Sequence, residues 1–291
     1  MKNLYLLKHK FLLCFFLIFF GGIYAQSFSN VKYKYSACPC EVKVTYNLTK
    51  AASGVELYYS PDTTGNFWLL ATTFSRTAVG TYTDTWNCEA AGKVYGVFYY
   101  KLERLLTPCE KVNGVTINGV CWATRNVDAP GTFAAKPEDY GMLYQWDHYI
   151  GWNNTDITVT STTSSPAGAT WDATVSSSTT WLSANDPSPT GYCVPTSTQL
   201  QSLLDATNVT YVWVSTPIPG ILFTDKNNHN TLFLPDAGAR GATTGSLSNG
   251  GYYWSSTQSS SILAYSLYFS TVSLNTLNKR YGFSVRPVAK F

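Results

Sequence analysis

The chain has 291 residues, enough for two domains of ordinary size, each with its own core. It carries 20 Lys and Arg against 17 Asp and Glu, but Lys2, Lys8 and Lys10 fall in an N-terminal leader, and without them the signs balance at 17 each. That neutrality argues against nucleic acid or an anionic membrane surface as partner, and the pI near 8.4 belongs largely to the leader.

The leader reads MKNLYLLKHKFLLCFFLIFFGGIYAQ. A basic head precedes an apolar run, Phe11 to Phe20, too short to span a bilayer comfortably. Gly21 and Gly22 end the run, and Ile23-Tyr24-Ala25 offers a small residue at the cut position. The pattern predicts a secretory signal peptide over 1–25, cleaved before Gln26. Cys14 sits inside the apolar run, whereas a lipid-attachment cysteine closes it, so Cys14 leaves with the leader. No later stretch approaches transmembrane length.

Six cysteines remain: Cys38, Cys40, Cys88, Cys109, Cys121 and Cys193. An even count in an exported chain predicts disulfides. Metal ligation is disfavoured, because Cys38-Pro39-Cys40 has the wrong spacing for a zinc knuckle and only His148 and His229 remain to help.

From 28 to 105 the sequence alternates. Val42, Val44, Tyr46 and Leu48 share one face of EVKVTYNL, and VELYYS repeats the pattern with Val55, Leu57 and Tyr59. FWLLATT, GTYTDTW and KVYGVFYYKLE continue it between the turns SPDTTGN and EAAG. Period-two patterning at this spacing predicts an antiparallel β-sandwich over 26–108, resembling fibronectin III or immunoglobulin-like modules. Cys38 and Cys40, two apart on a strand, point to one face, and Cys88 and Cys109 are their expected partners, in an order the spacing leaves open.

TPCEKVNG is a short junction to a second domain, 109–291. Asn118-Gly119 marks a two-residue hairpin. Residues 155–181, rich in Ser and Thr around Trp171 and Trp181, form a surface excursion. PTSTQLQSLLDA predicts a helix with Thr196 as N-cap, Gln199 completing a capping box, and Leu200, Leu203 and Leu204 on one face. Short strands then run to YGFSVRPVAKF, so the second domain is α+β and the whole chain mainly β plus α+β.

INGVCWATRNVDAPGTFA, YGMLYQWD, DPSPTGYCVPTSTQLQSLL, LFLPDAGAR, GYYWSST and YGFSVRPV follow one another over 115–288. The series resembles the Fibrobacter-type major paralogous domain (FISUMP) of exported Bacteroidota proteins. The resemblance implies a C-type-lectin-like fold, shared with retroelement-diversified proteins that bind ligands through a variable C-terminal face, and no generally established catalysis. The chain departs from that pattern at Asp186-Pro187-Ser188-Pro189, at Cys193 and at Cys121. Two unusual cysteines in one domain suggest a Cys121–Cys193 bond, the alternative being a buried free thiol at each position.

No Gly-x-Ser-x-Gly elbow occurs. Asp147 and His148, adjacent on a strand, point apart and form a polar surface pair. Glu138 and Asp139 suit a helix or turn start at Pro137. TDKNNHN lacks the glycine and terminal glutamate of an EF-hand and is a hairpin turn. Neither lectin-type calcium tripeptide is present, so the resemblance implies the lectin fold without its calcium chemistry. Arg240 and Arg286 are candidates for internal hydrogen bonds to carbonyls or internal salt bridges. No metal, cofactor or catalytic residue is predicted.

Binding is therefore expected on the C-terminal face. In LAYSLYFSTVS, alternation turns Tyr265, Leu267 and Phe269 inward, and Ser266, Tyr268 and Ser270 outward. Ser259, Ser260, Ser273, Asn275, Asn278 and Tyr281 complete a Tyr/Ser/Asn set that resembles antibody loops in composition. Trp254 of GYYWSST is expected in the core. The expected function is a non-enzymatic exported or cell-surface recognition and adhesion module binding an extracellular glycan or protein, without membrane insertion. The second reading is a structural or assembly subunit of a cell-surface structure.

Overall fold

The computed structural model describes residues 27–37, 40–60, 68–88, 90, 99–160 and 162–291. The predicted leader and Cys38 lie outside them. The chain divides into two compact units, one ending at Pro108 and the other beginning at Cys109.

The first unit holds β1 (Phe28–Ala37), β2 (Cys40–Leu48), β3 (Gly54–Ser60), β4 (Leu69–Phe74), β5 (Gly80–Asn87) and β6 (Tyr99–Leu105). They form two antiparallel three-stranded sheets, ordered β1-β2-β5 and β4-β3-β6. The alternation read from EVKVTYNL holds: Val42, Val44, Tyr46 and Leu48 are all buried. They pack with Val55, Leu57 and Tyr59 from the other sheet, and Trp86 stacks on Tyr59 at 5.2 Å. Each such side chain contributes about 1.5–3 kcal/mol on leaving water. Within this core Asp84 is buried and doubly satisfied, accepting from Tyr46 Oη at 2.7 Å and from Arg76 at 2.6 Å. A Cys40–Cys88 disulfide ties the start of β2 to the end of β5.

The second unit opens with one helical turn, α1 (Pro108–Lys111), then β7 (Gly114–Ile117) and β8 (Val120–Ala123). Asn118 and Gly119, at φ +46° and +77°, make the tight hairpin turn their pairing predicts. Next come β9 (Leu143–Gln145), β10 (Gly151–Trp152), β11 (Ser164–Ser165) and β12 (Tyr192–Cys193). Helix α2 (Ser197–Ser202) carries the predicted capping box between Thr196 and Gln199. β13 (Val209–Val214), β14 (Gly220–Asp225) and β15 (Thr231–Pro235) form one meander. TDKNNHN makes its β14–β15 turn, with Asp225 Oδ1 accepting from the amides of Asn227 and Asn228. The short strands β16 (Ala239–Arg240) and β17 (Leu247–Ser248) precede a second meander of β18 (Tyr252–Gln258), β19 (Leu263–Tyr268) and β20 (Ser273–Asn278). β21 (Gly282–Phe283) and β22 (Val288–Ala289) return to older strands, in sheets ordered β11-β10-β9-β21-β16-β17 and β12-β22-β8-β7. The fold is β-rich, in several small open sheets, and α2 is the longest helix among the described residues.

Two strands of the second meander, β18 and β19, send buried residues to both sides. Tyr253 and Leu267, opposite each other in register, join Leu200, Leu203, Phe223 and Leu234 in one core cluster. Trp254 and Ala264 join Tyr144, Trp146, Trp181 and Phe283 in another. Trp254 is thus the core anchor expected of it, and its Nε1 donates to Tyr144 O at 2.8 Å.

The Ser/Thr-rich excursion is fastened from inside. Trp171 packs on Trp152 at 5.4 Å and Trp181 on Trp146 at 5.8 Å. Arg240, fully buried, donates to the carbonyls of Asn153, Asp156 and Gly245. Asp147 is no surface residue: it is buried, accepting from Leu182 N, Asn185 Nδ2 and Ser176 Oγ, while His148 meets Asp172 at 3.2 Å.

The cysteine expectations need correction. Cys109 bonds Cys121 rather than a sandwich cysteine, and Cys193 is a free, half-buried thiol. The reason is local. One turn of α1 returns the chain so that Cys109 lies 5.5 Å (Cα to Cα) from Cys121, within bridging range. Cys193 pairs with Val288 on the far side of β22 from β8. Two disulfides mark a chain that folds in an oxidising compartment.

Replacing Cys109 and Cys121 together with Ser is expected to lower stability by about 3 kcal/mol, the loop-closure entropy of this separation, read by urea unfolding. Peptide mapping of unreduced protein should find Cys109 joined to Cys121. Cys193 should alkylate slowly at neutral pH, since burial, and next Asp186, push its thiol pKa up. A Cys121–Cys193 peptide would contradict the fold.

A candidate aromatic cleft

β13 is an edge strand paired only with β14 among the described residues. VTYVWV is uncharged and rich in β-formers, yet four consecutive residues, Thr210 to Trp213, are exposed. Trp213 is 52% exposed and Val212 55%. Tyr211 and Trp213 sit opposite Phe223 and Ile221, which are core residues, so their rings overhang the sheet edge on its buried side. Tyr211 lies against Phe223 at 6.0 Å, and Trp213 meets Phe269 edge-on at 6.5 Å. Large aromatics left half in water at a sheet edge are costly to keep and point to contact with something else.

Facing them is the end of the second meander. Tyr252 and Tyr268, directly opposite in register, stack at 4.7 Å. Tyr252 also stacks on Phe283, so the pair is continuous with the core. Gly251 holds Phe269 in place: a Cβ there would lie inside the Phe269 ring, so only glycine lets the ring rest on the β18 backbone. The space between Trp213, Tyr211, Phe269, Tyr252 and Tyr268 is a cleft of about 490 Å³, within the ~300–1,000 Å³ range of ligand pockets. A second hollow beside Arg125 and Tyr192 is about 40 Å³, room for a water or two.

Asp236, Asn249 and Ser270 supply the cleft's polar wall. Asp236 follows β15, and its Oδ1 is sealed from solvent without a hydrogen-bond partner. Among the described residues it has no ion-pair partner, and burial raises its carboxyl pKa. Burial, followed by the hydrogen bond to Tyr268, pushes the Tyr252 phenol up to about 12. Hydrogen bonds from Ser270 and Tyr252 hold the Tyr268 phenol below its usual value. The cleft thus has aromatic faces, two interacting phenols and one unpaired carboxylate.

Of the residues predicted from sequence, Tyr268 and Ser270 line the cleft, and Ser273 lies opposite Tyr268 in register. The rest are elsewhere. Ser259 and Ser260 shape the β18–β19 turn, where Ser260 Oγ accepts from Leu263 N. Asn278, opposite Leu263, is five residues along β19 from Tyr268, about 17 Å away, and its Oδ1 accepts from Arg280. Asn275 is opposite Ser266, and Tyr281 stacks on Phe283 at 5.7 Å against the core. Ser266 itself is corrected: it is fully buried, its Oγ unpartnered, because both faces of β19 are covered. Tyr265, read as inward, is only half-buried. Sequence reading missed Trp213, Tyr211 and Asp236. The available signal was VTYVWV, an apolar strand without a charge to protect an edge.

Ser266→Ala removes a buried hydroxyl that no partner satisfies, so stability should be unchanged or rise by about 1 kcal/mol in urea unfolding. A loss above about 1 kcal/mol would mean that Ser266 makes a native hydrogen bond. For Asp236, a folded pKa above the unfolded one means the protonated acid contributes stability below the unfolded pKa. That contribution is lost as pH rises through the folded pKa. Asp236→Asn should therefore melt higher than the parent at neutral pH, with the gap closing in acid, and a pH-independent difference would contradict an unpaired carboxylate. Tyr252 and Tyr253, the titratable groups that sense Asp236 electrostatically, stay neutral throughout this range.

No family model matches the chain, no curated protein is similar to it, and no solved structure matches its fold.

Proposed function

We propose that the chain is an exported or cell-surface, non-enzymatic recognition and adhesion module. In this reading a fibronectin III/Ig-like sandwich carries a Fibrobacter-type, C-type-lectin-like domain, which binds an extracellular glycan or protein. The single observation that carries it is the cleft: half-exposed Trp213 and Tyr211 facing the Tyr252–Tyr268 stack on a sheet whose other surfaces are core. Aromatic rings give large contact area at low entropy cost when their backbones are fixed. Neutral net charge without the leader and two disulfides suit an extracellular setting.

The second reading, a structural or assembly subunit, draws on a different fact. The uncharged outer edge of β13, with Val212 bare on the face opposite the cleft rings, is a template for an added strand. Light scattering over a concentration series separates the two, because assembly requires oligomers that grow with concentration.

A glycan array and an extracellular-protein pull-down with the purified chain test the first reading. Trp213→Ala and Tyr268→Ala should each weaken the captured ligand tenfold or more, as centrally placed aromatics do. Trp213 is half exposed and Tyr268 half-buried, so each variant should lose no more than about 2 kcal/mol of unfolding free energy and stay folded. Full binding by both variants would remove the cleft from the function.

A further inference from the structure

Asp236 poses a physical problem that the fold leaves open. Its Oδ1 is sealed in the protein without a hydrogen-bond partner, while the half-buried residue lines the cleft, so a ligand there meets the open side of the carboxylate. The residues around the cleft include no Lys, Arg or His, so the wall carries one acid, and among the described residues Asp236 has no ion-pair partner. Beside the polar Asn249 and Ser270, most of the lining is the rings of Tyr211, Trp213, Tyr252, Tyr268 and Phe269. Ring faces attract cations through their quadrupoles, and the attraction grows when water is excluded. A neutral sugar would use the rings and leave the charge unanswered. A basic side chain answers both, since its methylene stem packs on the aromatics while its cationic head reaches the acid.

Resting on the reading of the cleft as a ligand site, we propose that the cleft takes a basic side chain, lysine or arginine, presented by a protein ligand and paired with Asp236. The chain uses the same chemistry internally, where no ligand is needed. Lys279, buried in the second unit, lies 4.3 Å from the Trp146 ring and donates to Ser178 O and Gln258 Oε1. That internal cation is fully provided for by protein groups, whereas the aromatic and acidic groups of the cleft lack one.

The test is a chemical-shift titration of the purified chain with Nα-acetyl-lysine methylamide and Nα-acetyl-arginine methylamide. Nα-acetyl-norleucine methylamide serves as the uncharged counterpart, and glucose and glucosamine as the sugar arm. At least one basic probe should bind tenfold or more tightly than norleucine, shifting resonances of Trp213 and Tyr268. Asp236→Asn should abolish that tenfold preference while leaving norleucine unchanged, and its raised melting temperature at neutral pH certifies that the variant is folded. Asp236→Glu should retain part of the preference. Equal binding of norleucine and the basic probes, or an unchanged preference in Asp236→Asn, overturns the charge pairing. Asp236-dependent binding of glucosamine with none of the basic probes makes the occupant an amino sugar and overturns the proposal. No shift with any probe at tens of millimolar also overturns it. The broader reading fails separately, when Trp213→Ala and Tyr268→Ala leave capture of the natural ligand intact.

Discussion

The second unit depends on a buried guanidinium that no carboxylate among the described residues pairs with. Arg286 is fully enclosed; its Nε donates to Asn126 Oδ1 at 2.8 Å and its Nη1 to Ala123 O at 3.3 Å. Burial lowers its pKa, to about 10, which still leaves it charged at neutral pH. Asn126 then donates to Tyr140 O and to Tyr253 Oη, and Tyr253 donates to Pro235 O at 2.7 Å. Removing any member strands a polar group in the core, at a cost of about 1–3 kcal/mol or more for the charge. The network joins the C-terminal strand region, the loop after β8, and the start of β18. It ends one residue before Asp236, so the acid of the cleft is positioned by the most constrained part of the molecule.

Two-sided burial of β18 and β19 follows from the same arrangement. Tyr253 is held toward one cluster by Pro235 and Asn126, and its neighbour Trp254 is held toward the other by Tyr144. β18 and β19 therefore have no solvent face over most of their length. At the Tyr252–Tyr268 end the strands are only half-buried, and there the stacked tyrosines meet the cleft. A rigid backing on one side and an edge strand on the other is the usual economy of a binding site: the positions are fixed before any ligand arrives.

Much of this was legible from local chemistry. The Asn118-Gly119 turn, the Thr196–Gln199 capping box, the TDKNNHN hairpin and the alternation of β2 and β3 each follow from a few neighbouring residues, and each formed as read. Arg240 and Arg286 also took carbonyl partners, one of the two roles read for them. What failed was everything that depended on which surface covers a strand. Alternation in LAYSLYF separates two faces but cannot say that both are dry, so Ser266 was turned to solvent and lies in the core. Cysteine pairing failed for a related reason, since a single turn of α1 sets the approach of Cys109 to Cys121, and nothing in the spacing announces it. The cleft was half legible: Tyr268 and Ser270 come from the predicted C-terminal face, whereas Trp213 and Asp236 reach it from the first meander, which sequence order places some 30–60 residues earlier.

The cleft is also where the chain departs from its own rules. Elsewhere in the second unit most large aromatics are buried, and several tryptophan tips are bonded, as with Trp146 to Ser255 O and Trp181 to Asn185 O, although Trp122 Nε1 is not. Buried acids are satisfied too: Asp147 accepts three hydrogen bonds and Asp225 several more. At the cleft, Trp213 and Tyr211 stay half in water, β13 leaves an edge unprotected by charge, and Asp236 keeps an orphan oxygen. Each departure alone costs stability or invites aggregation. Three of them converging on one hollow, next to the firmest network in the unit, are not explained by packing, because the packing that surrounds them is good. The ligand proposed above would cover the rings, shield the edge and pair with the acid.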